Sequence, residues 1–370
     1  MSLIGIILSP FGLIWGIVSH FKRRVYDTFN LRKKGALPNI VIGNLSVGGS
    51  GKTPTVIWLL QQLTRQGIQK KQIGILSRGY QRKSQGFVWV NSGETSESVG
   101  DEPLEIQSAI SAVDRTIAVC ENRLTGLSRM KKENDSLKIT VLDDGYQHLR
   151  LQPDMSILIC DYHRLFTREW PLPFGKLREF PWEAKNADAL LISNCPKSFC
   201  DSQQTALKNK LLTDMKRWMF VRWPFSKNNT PKWKNCIGFL STVTTTPKNP
   251  LTNESLIPNS PIYLITGIAN PHRVVSNLCD YSLIKHEAFN DHHSFNKKCV
   301  LNICKQFEGL VKSTPNLVIV ATRKDWVKIQ RHWPNSIPIF IVSSVIEPLH
   351  DTENMIQKLL TPFIHENKLV

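Results

Sequence analysis

The chain has 370 residues, 41% of them apolar and 21% charged, which suffices for two packed domains and excludes a chain disordered throughout. Its formal charge of +17 calls for an anionic partner and does not choose between nucleic acid, an anionic membrane and a phosphorylated substrate. Eight cysteines without a C-x-x-C pair exclude a disulfide framework and read as reduced, buried residues of a cytosolic protein.

Residues 1–24 are expected to form a membrane-associated helix, because the stretch before Lys22, Arg23 and Arg24 carries no Lys, Arg, Asp or Glu. A secretory signal has the opposite order, with positive charge ahead of the apolar run. Basic residues on the downstream side place the rest of the chain in the cytoplasm or against anionic headgroups. Ser2, Gly5, Ser9, Gly12, Gly16 and Ser19 line one helical face, and Ile7, Phe11, Ile14, Trp15 and Val18 line the other. Such a stripe lets another helix approach while bulky groups meet lipid. Pro10 and the short span leave two readings, a crossing helix and a helix embedded in one leaflet.

The apolar run Ile40-Val41-Ile42 leads into Asn44-Leu-Ser-Val-Gly-Gly-Ser-Gly-Lys-Thr-Pro54, with a helical pattern over Thr55 to Gln66. Backbone N–H groups of Val47, Gly48, Gly49, Ser50, Gly51, Lys52 and Thr53 can cradle phosphates, with Lys52 reaching the outer ones and the Thr53 hydroxyl a ligand for Mg²⁺. Ser46 stands where the usual pattern has its first glycine.

Short apolar strands are expected at Ile73 to Leu76, Thr116 to Val119, Ile139 to Leu142, Ile157 to Cys160 and Leu190 to Ser193. Their alternation with helical or loop stretches predicts an α/β fold, a P-loop core with a mostly parallel sheet. Ser77-Arg78-Gly79-Tyr80 follows the first of these strands, so Arg78 projects from the edge where such sheets bind ligands. Gly100-Asp101-Glu102-Pro103 is an acidic turn, in which Asp101 either caps a helix or serves as a base for an acceptor hydroxyl. Asp143-Asp144 end the strand at Ile139 to Leu142, the layout of a Walker B strand whose carboxylates hold Mg²⁺ directly or through water.

The polar segment 223–261 reads as linker or crossover, with a weaker strand-like run at Cys236 to Leu240. The chain is therefore expected to divide into a membrane helix at 1–24, a P-loop domain at 25–222, the linker, and a smaller α/β domain at 262–370. That last domain has strands at Ile262 to Ile265, Leu317 to Val320 and Ile337 to Val342, and helices near Val274 to Asp280 and Lys298 to Val311. Asn290-Asp291-His292-His293 lies within it. Adjacent histidines diverge in direction, so a histidine orienting a carboxylate is more economical than a transition-metal site.

Together, the phosphate loop, Ser77-Arg78-Gly79-Tyr80, Gly100-Asp101-Glu102-Pro103, Asp143-Asp144-Gly145-Tyr146-Gln147-His148, Pro173-Phe174-Gly175-Lys176-Leu177-Arg178-Glu179 and Asp291-His292 resemble the tetraacyldisaccharide 4′-kinase family of lipid A biosynthesis. The N-terminal apolar helix and Thr322-Arg323-Lys324-Asp325 are also similar to it. The resemblance implies transfer of the ATP γ-phosphate, with Mg²⁺, to the 4′-hydroxyl of an acylated glucosamine disaccharide 1-phosphate at the cytoplasmic face of the inner membrane. It implies Lys52 at the phosphates, Thr53, Asp143, Asp144 and Glu179 around the metal, and Asp101 as base with His292 as its partner. Arg78, Tyr80, His148 and Arg178 match residues near nucleotide or lipid headgroup. With Asp101 and His292 expected in different domains, nucleotide binding is expected to bring them together. A membrane-associated ATPase of the partitioning type is the alternative. Its loop carries a lysine before the glycine pair, where this chain has Val47, and its membrane helix lies at the other end. A basic nucleic-acid-binding ATPase has no supporting motif here.

Overall fold

A computed structural model describes residues 3–110, 115–221 and 230–369. The chain forms two compact units, 1–78 with 113–242 and 346–370, and 79–112 with 243–345. These boundaries differ from the expected ones. The stretch after the strand at 73–77 leaves the first unit for the second, and the final helix Thr352–Glu366 returns to the first.

The first unit is built on parallel strands in the spatial order Ile237–Thr244, Ala189–Ser193, Met155–Asp161, Asn39–Asn44, Ile139–Leu142, Ile73–Ser77, Ile117–Val119. The middle strands are buried on both faces, which is why they read as continuous Ile/Val/Leu runs without alternation. Because Asn39–Asn44 and Ile139–Leu142 are direct neighbours, with Val41 opposite Leu142, the segments after their carboxyl ends emerge side by side. That adjacency, which no local pattern contains, sets the phosphate loop beside Asp143.

The segment expected as linker contributes to this core. Its strand-like run is the parallel strand Ile237–Thr244, and Trp233 just before it is fully buried, donating its Nε1–H to Ala184 O at 2.9 Å. Polar composition masked one buried aromatic anchor. Of the expected linker, residues 223–229 lie outside the described residues.

The N-terminal helix spans Leu3–Thr28, and no described helix is long and apolar enough to cross a membrane. Its small-residue face meets the chain itself. A Cβ at Gly12 would lie 2.9 Å from Phe174 Cβ, and one at Gly16 would overlap the Phe180 ring. Trp15 Nε1 donates to Arg178 O at 3.0 Å, and buried Arg23 pairs with Glu179 and Glu183. The glycines therefore admit the 171–180 segment, where another helix was expected. Phe11, Ile14, Ile17, Val18 and Phe21 stay exposed.

In the second unit, four parallel strands run in the order Ser282–Ala288, Pro261–Thr266, Val318–Thr322, Ile339–Val342. Residues alternate between two cores, as a strand's period of two requires. Tyr263 and Ile265 pack with Val300, Ile303 and Phe307 of the helix Lys297–Val311, while Ile262 and Leu264 pack with Val274 and Leu278. The strand Ser282–Ala288 has no counterpart in the expected elements. It is a half-exposed edge strand that includes Lys285, His286 and Glu287, so it lacks the apolar run that marks the others. Of the cysteines, Cys120, Cys160, Cys195 and Cys304 are buried as expected, whereas Cys200 and Cys279 are exposed; all eight are free thiols.

Candidate functional site

The phosphate loop leaves the fully buried strand Asn39–Asn44 and enters the helix Lys52–Arg65. Asn44 ties its base, donating from Nδ2 to Ser46 O at 2.6 Å and to Ser50 Oγ at 2.7 Å. Gly48 (φ 102°) and Gly51 (φ 76°) hold the left-handed backbone that the loop needs. Ser46 is buried and bridges Leu177, and Val47 N donates to Lys176 O at 2.8 Å. The 176–177 segment therefore shapes the loop where its usual pattern has glycine. With glycine as N-cap, no side chain can cap the helix, and its first N–H groups are left for an anion.

Lys52 Nζ stands 3.4 Å from Asn44 Oδ1 and 4.0 Å from Asp144 Oδ1. Asp144, at φ 50°, turns its carboxylate to Arg178 Nη1, 2.8 and 2.9 Å away. Burial pushes the Asp144 carboxyl up, but Lys52 and Arg178 outweigh it and hold the group below the usual range. Asp143 is fully buried at the strand end, its N–H donating to Leu76 O at 3.1 Å. A threonine hydroxyl and two carboxylates are the hard oxygen donors that Mg²⁺ prefers. No group of three or more His, Cys, Asp or Glu among the described residues could hold a metal.

Glu179 does not join these donors. Arg23 takes it, with Nη2 to Oε2 at 2.5 Å, and Glu183 lies on the same guanidinium at 3.3 Å. Burial, with the neighbouring Glu183 carboxylate, keeps Glu179 high for a carboxyl against the pull of Arg23. Its expected metal role is replaced by a structural one, because the N-terminal helix brings a buried arginine no local motif announces. Arg178, expected near nucleotide or headgroup, is brought to Asp144 and Gln147. His148 Nε2 accepts from Arg123 N at 3.4 Å, and burial next to Arg123 pushes the imidazole down to about 4. Arg78 is exposed at the end of its strand.

Sequence reading missed Arg123. Its buried guanidinium donates to Cys120 O at 2.6 Å and reaches the Asp143 and Asp144 carbonyls at 3.5 Å, fixing the turn that carries both acids. Burial lowers it to about 10 despite those acids. The only local signal is Asn122, which caps the helix Arg123–Glu133 and so sets where Arg123 begins.

The second unit carries the other cluster. Asp101 is the first residue of the helix Asp101–Ile110, and its Oδ1 accepts from Glu102 N at 3.0 Å. Its Oδ2 lies 2.8 Å from His292 Nδ1. Both residues belong to the same unit, because 79–112 is built into it, so their expected placement in different domains is corrected. Gly100 (φ 90°) lets this turn abut Gly79 and Tyr80, and the Tyr80 ring meets His292 edge-on at 5.5 Å. Burial raises the Asp101 carboxyl, but the His292 hydrogen bond with Lys324 and Lys328 brings it below its ordinary value. His293 turns away, stacking on Phe289 at 4.6 Å, so His292 alone faces Asp101.

The profile of the family described as tetraacyldisaccharide-1-P 4′-kinase matches residues 4–363. Proteins similar to this chain include the tetraacyldisaccharide 4′-kinase of Cytophaga hutchinsonii, 34% identical over 89% of this chain and 86% of its own length. That of Bacteroides thetaiotaomicron is 32% identical over 97% and 93%. Among solved structures, the "apo" form of LpxK from Aquifex aeolicus in complex with ATP has the same fold, with a TM-score of 0.70 over 98% of this chain and 99% of that one at 24% identity.

Proposed function

The chain belongs to the tetraacyldisaccharide 4′-kinase family and is an ATP-dependent kinase of lipid A biosynthesis; from that premise we propose which residues carry the transfer. The loop amides from Val47 to Thr53, with Lys52, bind the ATP phosphates. Thr53, Asp143 and Asp144 would hold Mg²⁺, which when bound would neutralise charge on the phosphates. Arg178 and Arg123 keep Asp144 and its turn in place for that task. Asp101 accepts the proton of the sugar 4′-hydroxyl as that oxygen attacks the γ-phosphorus, and His292 orients Asp101. Phosphoryl transfer asks little covalent chemistry of a protein, so positioning and charge supply most of the acceleration.

The observation that carries the base assignment is the contact of Asp101 Oδ2 with His292 Nδ1 at 2.8 Å, which aims a buried, ionised carboxylate with its partner already in place. The exposed face of Phe11, Ile14, Ile17, Val18 and Phe21 supports a helix lying in one leaflet at the cytoplasmic face of the inner membrane, where the acylated substrate resides. Transfer of labelled γ-phosphate from ATP to an acylated glucosamine disaccharide 1-phosphate tests the reading. Wild type should label the 4′ position and Lys52→Ala should not; phosphate appearing elsewhere, or only as free phosphate, would overturn it.

A further inference from the structure

Lys324 has no part in the assignments above, yet its ammonium lies among all the groups around the base. It stands 2.9 Å from Asp291 Oδ1, 3.4 Å from His292 Nε2 and 3.8 Å from Asp101 Oδ2, with its side chain 16% exposed. We propose that Lys324 is a positioning residue that fixes His292 as the neutral tautomer with its hydrogen on Nδ1, and so keeps Asp101 free to act as base. The proposal rests on the reading of Asp101 given above.

The argument starts from donor counting. An ammonium has donors only, and neutral imidazole has one donor and one acceptor nitrogen. With Lys324 facing Nε2, the lone pair belongs on Nε2 and the hydrogen on Nδ1, where it points at Asp101 Oδ2. The reverse tautomer would set N–H against ammonium and lone pair against carboxylate, two unfavourable contacts at once. The hydrogen bond to Asp101 raises the His292 imidazole above its ordinary value, and Lys324 opposes that rise because a second proton, on Nε2, would face its ammonium.

Other charges surround the pair from each packed element. On the helix Asp101–Ile110, the charges of Glu102 and Glu105 act on Lys324, and burial pushes Glu105 up to about 7 despite it. On the loop before the helix Lys297–Val311, Asp291 Oδ2 lies 3.6 Å from His292 Nε2 and favours its protonation. On the helix Arg323–Ile329, Lys328 stands 4.0 Å from Asp101 and 3.1 Å from Asp325. Tyr80 contributes a ring edge. Lys328 belongs chiefly to Asp325, whose Oδ2 also accepts from Gly267 N and Thr322 Oγ1. Lys324 is thus the cation that decides whether His292 sits between two carboxylates. Without it, Asp101 on one nitrogen and Asp291 on the other favour imidazolium, whose charge would lower the basicity of Asp101.

The kcat/KM profile of the full-length enzyme against pH reads this directly, as the acid limb of a coupled pair. Lys324→Gln should move that limb upward by about one pH unit, the usual effect of losing a charge at this range, with activity recovering at higher pH. Lys324→Arg should keep it near the wild-type position. Adding Asp291→Asn to Lys324→Gln should bring the limb back down. Nitrogen NMR of His292 gives a second readout that does not need turnover. Across a pH titration, wild type should reach protonated Nδ1 with bare Nε2 at a pH where Lys324→Gln still shows both protonated. An unchanged limb with an unchanged tautomer overturns the proposal, even if activity falls, since a purely structural lysine would lower turnover at every pH. Asp101→Asn with turnover retained would sink the base reading instead, while the NMR result would still stand or fall with Lys324.

Discussion

Asp144 and His292 both hold left-handed backbone, at φ 50° and 61°, a conformation that costs a side-chain-bearing residue energy and persists where surroundings impose it. Asp144 is then fixed by the charges of Arg178 and Lys52, and His292 by its hydrogen bond with Asp101. Replacing Asp101 with Asn removes the proton acceptor and keeps the shape, so kcat should fall by about 10²- to 10⁴-fold with the KM for ATP little changed; steady-state kinetics with both substrates varied would check this. His148 makes a separate pH prediction. Its folded value, about 4, lies below the ordinary 6.5, so between those limits the unfolded chain takes up a proton that the folded chain refuses. Stability therefore falls as pH drops from about 6.5 toward about 4. His148→Gln should flatten the thermal midpoint over that interval, and equal slopes in both proteins would refute it.

At the scale of elements, the N-terminal helix shows how far pattern alone reaches. The stripe of Gly12 and Gly16 announced a close approach, and the approach exists, but its object is the Phe174–Phe180 region of the same chain. A glycine stripe encodes the distance allowed and carries nothing about what comes near. Gly16→Leu should cost about 1–3 kcal/mol in chemical denaturation, since the Phe180 ring must move. Arg23→Ala is more damaging, about 3–5 kcal/mol at neutral pH, because Glu179 and Glu183 remain buried without their guanidinium. The sign of its pH dependence follows from Glu179, whose folded value is already raised. With Arg23 gone it rises further, the folded state favours the protonated acid, and the stability deficit should grow from pH 5 to pH 8. Denaturation midpoints at the two pH values decide the matter.

For the whole molecule, the +17 charge and the exposed aromatic and aliphatic face of the first helix make one prediction about surfaces. Full-length protein should sediment with vesicles containing anionic lipid, and increasing salt should weaken this because surface charges are screened. Replacing Ile14, Val18 and Phe21 with Ser should reduce binding at every salt concentration. Binding that ignored both changes would remove the one-leaflet reading.

The sequence by itself determined the phosphate loop, the acids at the end of Ile139–Leu142, most strands of both units and the family, because each is a local run whose residue types suffice to state its chemistry. Only the tertiary structure decided the partners. It set the strand of the loop beside that of Asp143, built 79–112 into the unit that holds His292, gave Glu179 to Arg23, and surrounded Asp101 with Lys324 and Lys328. Those contacts join residues 100 to 230 positions apart, and their energies arise from burial and charge at a few ångströms, quantities that exist once the chain has folded and have no imprint in local spacing.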